Sequence, residues 1–362
     1  MPDTISFARG APAPEALRPD VIAAATAEAL GADGVRMLSY GTGGGYPPLR
    51  ERLAARHGVD ADRVFTTNGS LQAFVFLLES HLSPGDRVAV EAPTYDRALL
   101  QLMQHGMEVL PLPVDEHGLD PDALAGACEA GKAPRLLYTI PTFQNPSGAT
   151  LSMERRTALL DLCERHDILV LEDDPYGLLR FEGESLPSLF ELEGGNRVMF
   201  TSSFSKTVAP GLRVGYVVAP QDIVGGLAST ANRTYISPSF LAQGAISRML
   251  GDGRFEASVA HVTEQMRLRR DAMVDHLDQL PEGSRVTPPA GGFFSWIELP
   301  ESYSADDLHA PAKDAGVLFV KGSDCFVEGG ERTLRLAYSG VSPAEIATGM
   351  ERLGAVFSAS QT

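Results

Sequence analysis

The stretch SSFSKTVAPGLRVGY (residues 202–216) places one lysine, Lys206, in a short connection between two apolar strand patterns. A Pro-Gly turn follows the lysine and leads to Arg213 at the start of the second strand. On position alone Lys206 would be a solvated loop lysine, since most lysines are exposed. A lysine that forms a Schiff base with an aldehyde needs partial desolvation and nearby positive charge, which Arg213 could supply. The segment therefore permits a reactive amine.

On either side of this segment, short apolar runs alternate with longer amphipathic stretches from about Arg63 to Pro220. This alternation is typical of βα units that build a mostly parallel sheet. The helical spacing of apolar residues predicts helices over 71–82 and 153–166, with Ser152 as the N-cap of the second. We therefore predict an α/β fold with a mostly parallel, seven-stranded sheet between helices. The predicted strands are 63–67, 87–92, 108–113, 135–141, 168–173, 197–203 and 213–219.

Beyond Gly253 the pattern changes, because residues 255–280 contain neither proline nor glycine. The stretch is long enough for a helix that joins two domains. Strand and helix patterns then alternate through RVTPPAGGFFSWIELP (285–300), DLHAPAKDAGVLFV (307–320) and RTLRLAYS (332–339). We therefore predict a second, smaller α+β domain, in agreement with the two domains expected at about 150 residues each.

Composition excludes several classes of protein. The formal charge of −17 repels phosphate backbones and anionic lipid, so neither nucleic acid nor a membrane surface is an expected partner. The odd number of widely spaced cysteines, Cys128, Cys163 and Cys325, suggests neither a disulfide framework nor a zinc ribbon. With no secretion signal and no long apolar run in the sequence, we expect a protein of the reducing cytoplasm. The scattered histidines indicate no metal site.

The segment EDDPYG (172–177) follows the apolar strand ILVLED, and doubly wound sheets place their ligand sites at the carboxyl ends of strands. An ionised Asp173 in such a crevice needs a cationic partner, and a protonated pyridine nitrogen is one. The alternative is that the acidic residues only cap the helix after the strand.

Two further motifs lie at the carboxyl ends of apolar strands. In PTFQNPSG (141–148), the amide of Asn145 could donate to a phenolate oxygen that Tyr176 could also approach, although Asn-Pro-Ser-Gly is also ordinary turn chemistry. In TTNGSLQAF (66–74), the helix that opens at Ser70 offers free N–H groups to a phosphate, although this is also an ordinary helix start.

Six motifs occur in a fixed order along the chain: Gly69-Ser70, Pro93-Thr-Tyr95, Asn145-Pro-Ser-Gly, Asp173-Asp-Pro-Tyr176, Ser203-Phe-Ser-Lys206 and Pro210-Gly-Leu-Arg213. Together they resemble the fold-type I enzymes that use pyridoxal 5′-phosphate (PLP). More closely, the chain is similar to class I/II aminotransferases of the 2-aminoadipate and kynurenine aminotransferase branch, from ISFARGAP (5–12) to RTLRLAYS. The resemblance implies a large PLP-binding domain over 37–257 and a small domain formed by an amino-terminal arm, 1–36, and residues 258–362.

The resemblance also implies a role for each motif around the cofactor. Lys206 would hold PLP as an internal aldimine and move the proton, and Asp173 would pair with the pyridinium nitrogen. Tyr176 and Asn145 would bond the phenolate oxygen, and Tyr95 would stack on the ring. The implied phosphate ligands are Ser70, the backbone amides near Leu71 and Gln72, and the side chains of Ser203, Ser205 and Arg213.

Other matches concern the substrate and the neighbouring subunit. Arg335 matches the clamp for the substrate α-carboxylate, for which a bidentate guanidinium is suited, and Asn145 and Gly10 would lie beside it. Tyr40, in SYGTGGGYPPLR (39–50), matches a tyrosine that reaches the phosphate from the other subunit of a homodimer.

Three features depart from the family pattern. Arg9 stands where a small residue, commonly glycine, precedes Gly10, so it could attract a second acidic group of the substrate or lie on the surface. Members of this branch usually carry a further amino-terminal helix that selects the substrate side chain, and we expect that device to be missing. VKGSDCF (320–326) stands where the family usually has a loop that begins with Val-Pro-Gly. Lys321 could therefore lie near an expected wall of the site or in solvent.

The predicted reaction is ping-pong transamination between an L-amino acid and a 2-oxo acid, with glutamate and 2-oxoglutarate as the expected common pair. Tyr95, at a position where acyl-CoA-condensing relatives usually have histidine, favours this reaction. The main alternative is an eliminating or cyclising PLP enzyme of a biosynthetic pathway.

Two alternatives lie outside this chemistry. Ser203 and Lys206 match the S-x-x-K pattern of penicillin-recognising serine enzymes, but S-D-N and K-T-G triplets are absent from the sequence. The same fold serves as the effector-sensing half of some transcription regulators, which carry a basic winged-helix domain for which we expect no room before residue 40.

Overall fold

The computed structural model describes residues 4–360, so residues 1–3 and 361–362 of the predicted small domain lie outside the described residues. Within the described range the α-helices are α1 (Pro19–Met37), α2 (Pro47–His57), α3 (Ser70–His81), α4 (Asp96–Gln104), α5 (Pro121–Glu129), α6 (Met153–Arg165), α7 (Leu189–Glu193), α8 (Gln221–Thr234), α9 (Phe240–Gly251), α10 (Arg254–Val274), α11 (Ala305–Asp314) and α12 (Pro343–Ala359). The strands are β1 (Ile5–Ser6), β2 (Val64–Thr67), β3 (Arg87–Ala92), β4 (Glu108–Asp115), β5 (Gly118–Leu119), β6 (Leu136–Thr139), β7 (Leu169–Asp173), β8 (Val198–Ser203), β9 (Gly215–Val218), β10 (Arg285–Val286), β11 (Phe294–Glu298), β12 (Val317–Leu318), β13 (Val320–Lys321) and β14 (Thr333–Ala337).

The large sheet has the strand order β2-β9-β8-β7-β6-β3-β4-β5. Strands β8, β7, β6, β3 and β4 run parallel, and β9 is antiparallel to both of its neighbours. The predicted α/β class and the seven predicted strands are therefore confirmed. Sequence periodicity missed the edge strand β5, because two residues are too few to show an alternating pattern.

Two strands are shorter than the apolar runs that predicted them. The strand predicted over 135–141 ends at Thr139, because the N–H of Ile140 donates to the carboxylate of Glu91 and leaves the ladder. The strand predicted to begin at Arg213 begins at Gly215, because Arg213 has a φ of 52°, in the left-handed region.

The helix predictions are confirmed near their stated bounds, with one exception. The hydroxyl of Ser152 accepts the N–H of Arg155 at 3.3 Å, so Ser152 is the N-cap of α6. The helix predicted over 255–280 ends at Val274, and a separate 3-10 turn follows at Leu277–Gln279. No helix-breaking residue marks this end, and the turn packs against α12, so tertiary packing decides it.

The parallel strands are apolar on both faces because helices cover both sides of the sheet. In β6, Leu136 and Tyr138 belong to one buried cluster, whereas Leu137 belongs to a second cluster. This alternation follows from the period of two along a strand.

A smaller α+β layer packs against the large sheet. Strands β10, β11, β14 and β13 form an antiparallel sheet, and β1 pairs in parallel with β12 through Ile5 and Val317. Ile5 and Phe7 join the buried cluster of this layer, so the amino-terminal arm packs with the carboxyl-terminal part of the chain. The domain boundaries stay a prediction, and the one between 257 and 258 falls inside α10.

Among helices α1 to α12, which lie within residues 4–360, none is long and apolar enough to cross a lipid bilayer.

Candidate active site

A cavity of about 510 Å³ lies at the carboxyl ends of the parallel strands, against the smaller layer. The loops after β3, β6, β7 and β8 all reach this edge, because parallel strands end on the same side of a sheet. All predicted site residues line the cavity except Gln72 and Tyr40.

Lys206 lies in the loop after β8, with its side chain partly buried. Its Nζ donates to the carbonyl oxygen of Gly10 at 2.6 Å and lies 5.9 Å from the centre of the Tyr176 ring. Burial, together with the positive charge of Arg335, lowers the pKa of Lys206 to about 8, whereas Asp173 opposes the shift. A substantial fraction of this amine is therefore neutral near physiological pH.

Asp173 is the last residue of β7 and is 5% exposed. The hydroxyl of Tyr138 donates to its Oδ2 at 2.9 Å, while Oδ1 is buried and has no hydrogen-bond partner among residues 4–360. Burial raises the pKa of Asp173 to about 7, and Tyr138 and Lys206 oppose the shift. An unpartnered buried oxygen of this kind is suited to a cationic ligand.

A second part of the cavity is suited to a phosphate. Helix α3 begins at Ser70, and the first N–H groups of a helix have no intrahelical partner. The Arg213 guanidinium lies beside this helix start, donating to the carbonyl of Asn68 at 2.8 Å. Gly69 has a φ of 92°, and a Cβ there would lie 2.5 Å from Arg213 Nη2, so only glycine permits this approach. Ser205 Oγ, 3.4 Å from Arg213 Nη1, completes the polar lining.

Arg335, in β14, is 6% exposed and reaches the cavity from the smaller layer. Its Nη1 donates to Asn145 Oδ1 at 2.7 Å, and its Nη2 donates to the carbonyl of Ala8 at 2.9 Å. The guanidinium lies 4.3 Å from the centre of the Phe294 ring. These contacts fix the plane of a guanidinium that can bind a carboxylate with two parallel hydrogen bonds.

Aromatic residues form the walls of the cavity. Tyr176 is 3% exposed and packs against Phe293 and Phe294 at ring distances of 5.5 and 5.6 Å. Tyr95 immediately precedes α4, and burial raises its pKa to about 12, so the phenol stays protonated. Gly10 lies against Phe294, where a Cβ would be 2.6 Å from the ring.

Two predicted site residues do not reach the cavity. The Gln72 N–H bonds the Gly69 carbonyl at 3.2 Å, and its side chain accepts the N–H of Asn68 at 2.8 Å. Tyr40 is 89% exposed and lies outside the cavity lining. Lys321, considered as a wall residue, pairs instead with Asp306 at 3.5 Å and is not among the lining residues.

Sequence reasoning missed Tyr138 and Phe294. The sequence pattern places Tyr138 among the apolar residues of a strand. A buried phenol needs a hydrogen-bond partner, so its hydroxyl was the signal that could have indicated a contact with a site residue. Phe294 is the second of two consecutive phenylalanines, and nothing in the sequence indicates that its ring packs against the guanidinium of Arg335.

The residues fit PLP. A protonated ring nitrogen would satisfy the unpartnered Asp173 Oδ1, and the Gly69 start of α3 with Arg213 leaves room and charge for a phosphate. Lys206 is the amine that faces the same cavity.

Comparison with known proteins identifies the family. Residues 2–353 match the sequence model of aminotransferase class I and II. The 2-aminoadipate transaminase of Thermus thermophilus is 37% identical over 98% of this chain and 90% of its own length. Aromatic-amino-acid aminotransferase 1 of Thermococcus litoralis is 34% identical over 97% of this chain and 87% of its own. The crystal structure of α-aminoadipate aminotransferase from Thermus thermophilus, complexed with N-(5'-phosphopyridoxyl)-L-leucine, matches with a TM-score of 0.94 at 37% identity, over 99% of this chain and 93% of that chain.

The chain belongs to the class I and II aminotransferases. It is a PLP-dependent enzyme that transfers amino groups, and the resemblance to the 2-aminoadipate aminotransferase branch is confirmed. The alternative of an eliminating or cyclising enzyme is not favoured by these relatives.

In the cofactor-free protein, we expect Lys206 to lose its proton at a lower pH than an exposed lysine does. Because a lysine reacts only when neutral, its labelling by trinitrobenzenesulfonate should rise as pH increases through about 8, measured by peptide mapping. In denaturing urea the same lysine should titrate near its ordinary value of 10.5. A midpoint near 10.5 in the folded protein would contradict the desolvation of this side chain.

Proposed function

We propose that this aminotransferase moves an amino group between an L-amino acid and a 2-oxo acid with Lys206 as the residue that holds the cofactor and moves the proton. The observation that carries this assignment is the desolvated Lys206 amine, which lines the same cavity as the unpartnered oxygen of Asp173. When bound, PLP supplies an aldehyde and an electron-accepting ring. The neutral Lys206 amine can take a proton at Nζ and return it, so it serves as both base and acid.

The other cavity residues bind and orient. The Asp173 carboxylate holds a cationic ring nitrogen, and Tyr95 offers its ring as a stacking surface. Tyr176 and Asn145 offer a hydroxyl and an amide to the phenolate oxygen. Arg335 clamps the α-carboxylate, beside Gly10. The phosphate ligands in this proposal are Ser70, the amide of Leu71, Ser203, Ser205 and Arg213, whereas the Gln72 amide is already bonded within the chain.

Replacing the lysine tests the central assignment. Lys206→Ala should lose the visible absorbance of the lysine-bound cofactor and about 10² to 10⁴ in rate, because it removes the proton-transferring group. The matched control is Lys132→Ala, at an exposed lysine, which should keep both properties. Wild-type transamination by the Lys206→Ala protein would contradict the proposal.

Arg9 supports a substrate with a second carboxylate. The residues on either side of Arg9 are held at the cavity by hydrogen bonds. The Ala8 carbonyl accepts one from Arg335 Nη2, and the Gly10 carbonyl accepts one from Lys206 Nζ. Arg9 lines the cavity, and among residues 4–360 no carboxylate pairs with its exposed guanidinium within 4.0 Å. The Thermus thermophilus relative is named for 2-aminoadipate, which carries two carboxylates. We therefore propose acidic amino acids, with glutamate and 2-oxoglutarate as the common pair.

Removing the Arg9 charge should change selectivity. Arg9→Met should raise the KM for glutamate about threefold to tenfold and leave the KM for leucine unchanged, because only glutamate loses a charged contact. Lys321→Met is the matched control, because that cation lies outside the cavity lining and already pairs with Asp306. Equal changes for glutamate and leucine would contradict a role for Arg9 in selectivity.

We also propose a cytoplasmic homodimer in which Tyr40 reaches the site of the neighbouring subunit. Val35, Leu38, Tyr40 and Ile236 expose 86%, 76%, 89% and 52% of their surface and define an exposed apolar patch. A hydrogen bond from the Gly41 N–H to Ser237 Oγ joins the two segments of the patch. Exposed apolar patches of this kind are typical of subunit interfaces. The free, buried cysteines agree with a reducing compartment.

A charge in the patch should separate the subunits. Leu38→Asp should sediment as a monomer and bind PLP more weakly, because Tyr40 then cannot contribute across the interface. Leu268→Asp, at an exposed leucine of α10, should behave as the wild type. A Leu38→Asp dimer with unchanged PLP affinity would contradict the proposed interface.

A further inference from the structure

Two buried polar side chains, Glu91 and Gln144, lie behind the cavity and have no part in the proposed reaction. Glu91, in β3, is 2% exposed. Its carboxylate accepts hydrogen bonds from Thr139 Oγ1 at 2.6 Å, from the Ile140 N–H at 3.1 Å and from Gln144 Nε2 at 3.0 Å. All three donors are neutral, so the carboxylate is held by hydrogen bonds and not by an ion pair. Such a group is costly to bury and remains only where its partners are well placed.

Gln144 uses both ends of its amide. Its Nε2 donates to Glu91 and also to the Pro93 carbonyl at 2.8 Å. Its Oε1 accepts the N–H and the hydroxyl of Ser147 at 2.8 and 2.7 Å. Since rotating the amide would place donors against donors, the orientation of Gln144 is fixed by these partners.

These contacts join two loops that carry cavity residues. Pro93 precedes Tyr95 by two residues, and Gln144 immediately precedes Asn145. Tyr95 and Asn145 line the cavity, and Asn145 accepts the hydrogen bond of Arg335. Glu91 and Gln144 themselves are absent from the lining residues. The pair therefore acts on the site through the two loops.

We propose that Glu91 and Gln144 form a positioning pair that fixes Tyr95 and Asn145 relative to each other, and with Asn145 the guanidinium of Arg335. The pair resists displacement because each loop is tied by hydrogen bonds that are buried from water. A displacement of about 1 Å in such positioning groups is enough to slow an enzyme substantially. This inference rests on the proposed roles of Tyr95 and Asn145.

The test replaces one donor without changing shape. Gln144→Glu places a second carboxylate against Glu91 and deprives the Pro93 carbonyl of its donor. In the holoenzyme we expect the KM for the amino donor to rise about tenfold, because Asn145 no longer holds Arg335 in place. We also expect a shift in the pH at which the visible absorbance of the lysine-bound cofactor changes, measured by spectrophotometric titration.

A double variant tests whether the pairing itself matters. Glu91→Gln combined with Gln144→Glu again places an amide opposite a carboxylate but leaves the Pro93 carbonyl without its donor, so it should recover part of the KM and of the absorbance midpoint. Failure of the folded double variant to recover either value would overturn the proposal. If Gln144→Glu does not yield a holoenzyme, Gln144→Met removes the same donors without adding charge and takes its place.

A matched control separates positioning from stability. Glu172 is 1% exposed and accepts the N–H groups of Leu189 and Phe190, at the start of α7 and outside the cavity lining. Glu172→Gln should lower the urea midpoint and leave the KM and the absorbance midpoint unchanged. If Gln144→Glu behaves like this control, Glu91 and Gln144 stabilise the fold only and the proposal is wrong.

Asn145→Ala distinguishes a failure of the positioning pair from a failure of the proposed role of Asn145. If it leaves the KM and the absorbance midpoint unchanged, the proposed role of Asn145 fails, and the positioning pair fails with it. If it changes them while Gln144→Glu does not, the proposed function stands and only the positioning pair is overturned.

Discussion

The site is governed by two groups of opposite charge that share one cavity, Asp173, which is buried, and Lys206, which is partly buried. Burial raises the pKa of Asp173 to about 7 and lowers the pKa of Lys206 to about 8, so each group is shifted toward its neutral form. Their mutual attraction opposes both shifts, yet burial remains the larger effect. A site of this kind gains most from a ligand that brings a cation to the carboxylate and an electrophile to the amine. PLP offers both, and the start of α3 with Arg213 is the proposed site for its phosphate.

The surrounding elements preserve this arrangement. Tyr138 satisfies one oxygen of Asp173 and leaves the other open, while the phenol itself is buried in β6. Arg335 lowers the pKa of Lys206 and is itself held by Asn145 and by the arm. The Lys206 amine, the proposed substrate clamp Arg335 and the backbone of the arm therefore form one connected set of contacts.

Much of this could be predicted from the sequence because parallel sheets place functional residues at strand ends. Asp173, Asn145 and Lys206 each follow an apolar run, and the position in the run was enough to place them at one edge. The structure brings them to one cavity, although their individual roles stay proposals. Gln72 could not be judged in this way, because whether a helix N–H is free depends on the turn geometry. Tyr138 and Glu91 were missed because they lie inside strands, where a period of two describes burial but not the partner across the sheet.

The amino-terminal arm has a consequence for how the protein is made. The Ala8 carbonyl binds Arg335, which lies 327 residues later in the chain, and β1 pairs with β12. The ribosome therefore synthesises Ala8 long before Arg335, the other partner of this contact. Strands β2 to β9 of the large sheet all precede β14 in the chain, whereas the nascent polypeptide cannot form the Ala8–Arg335 contact until β14 has left the exit tunnel.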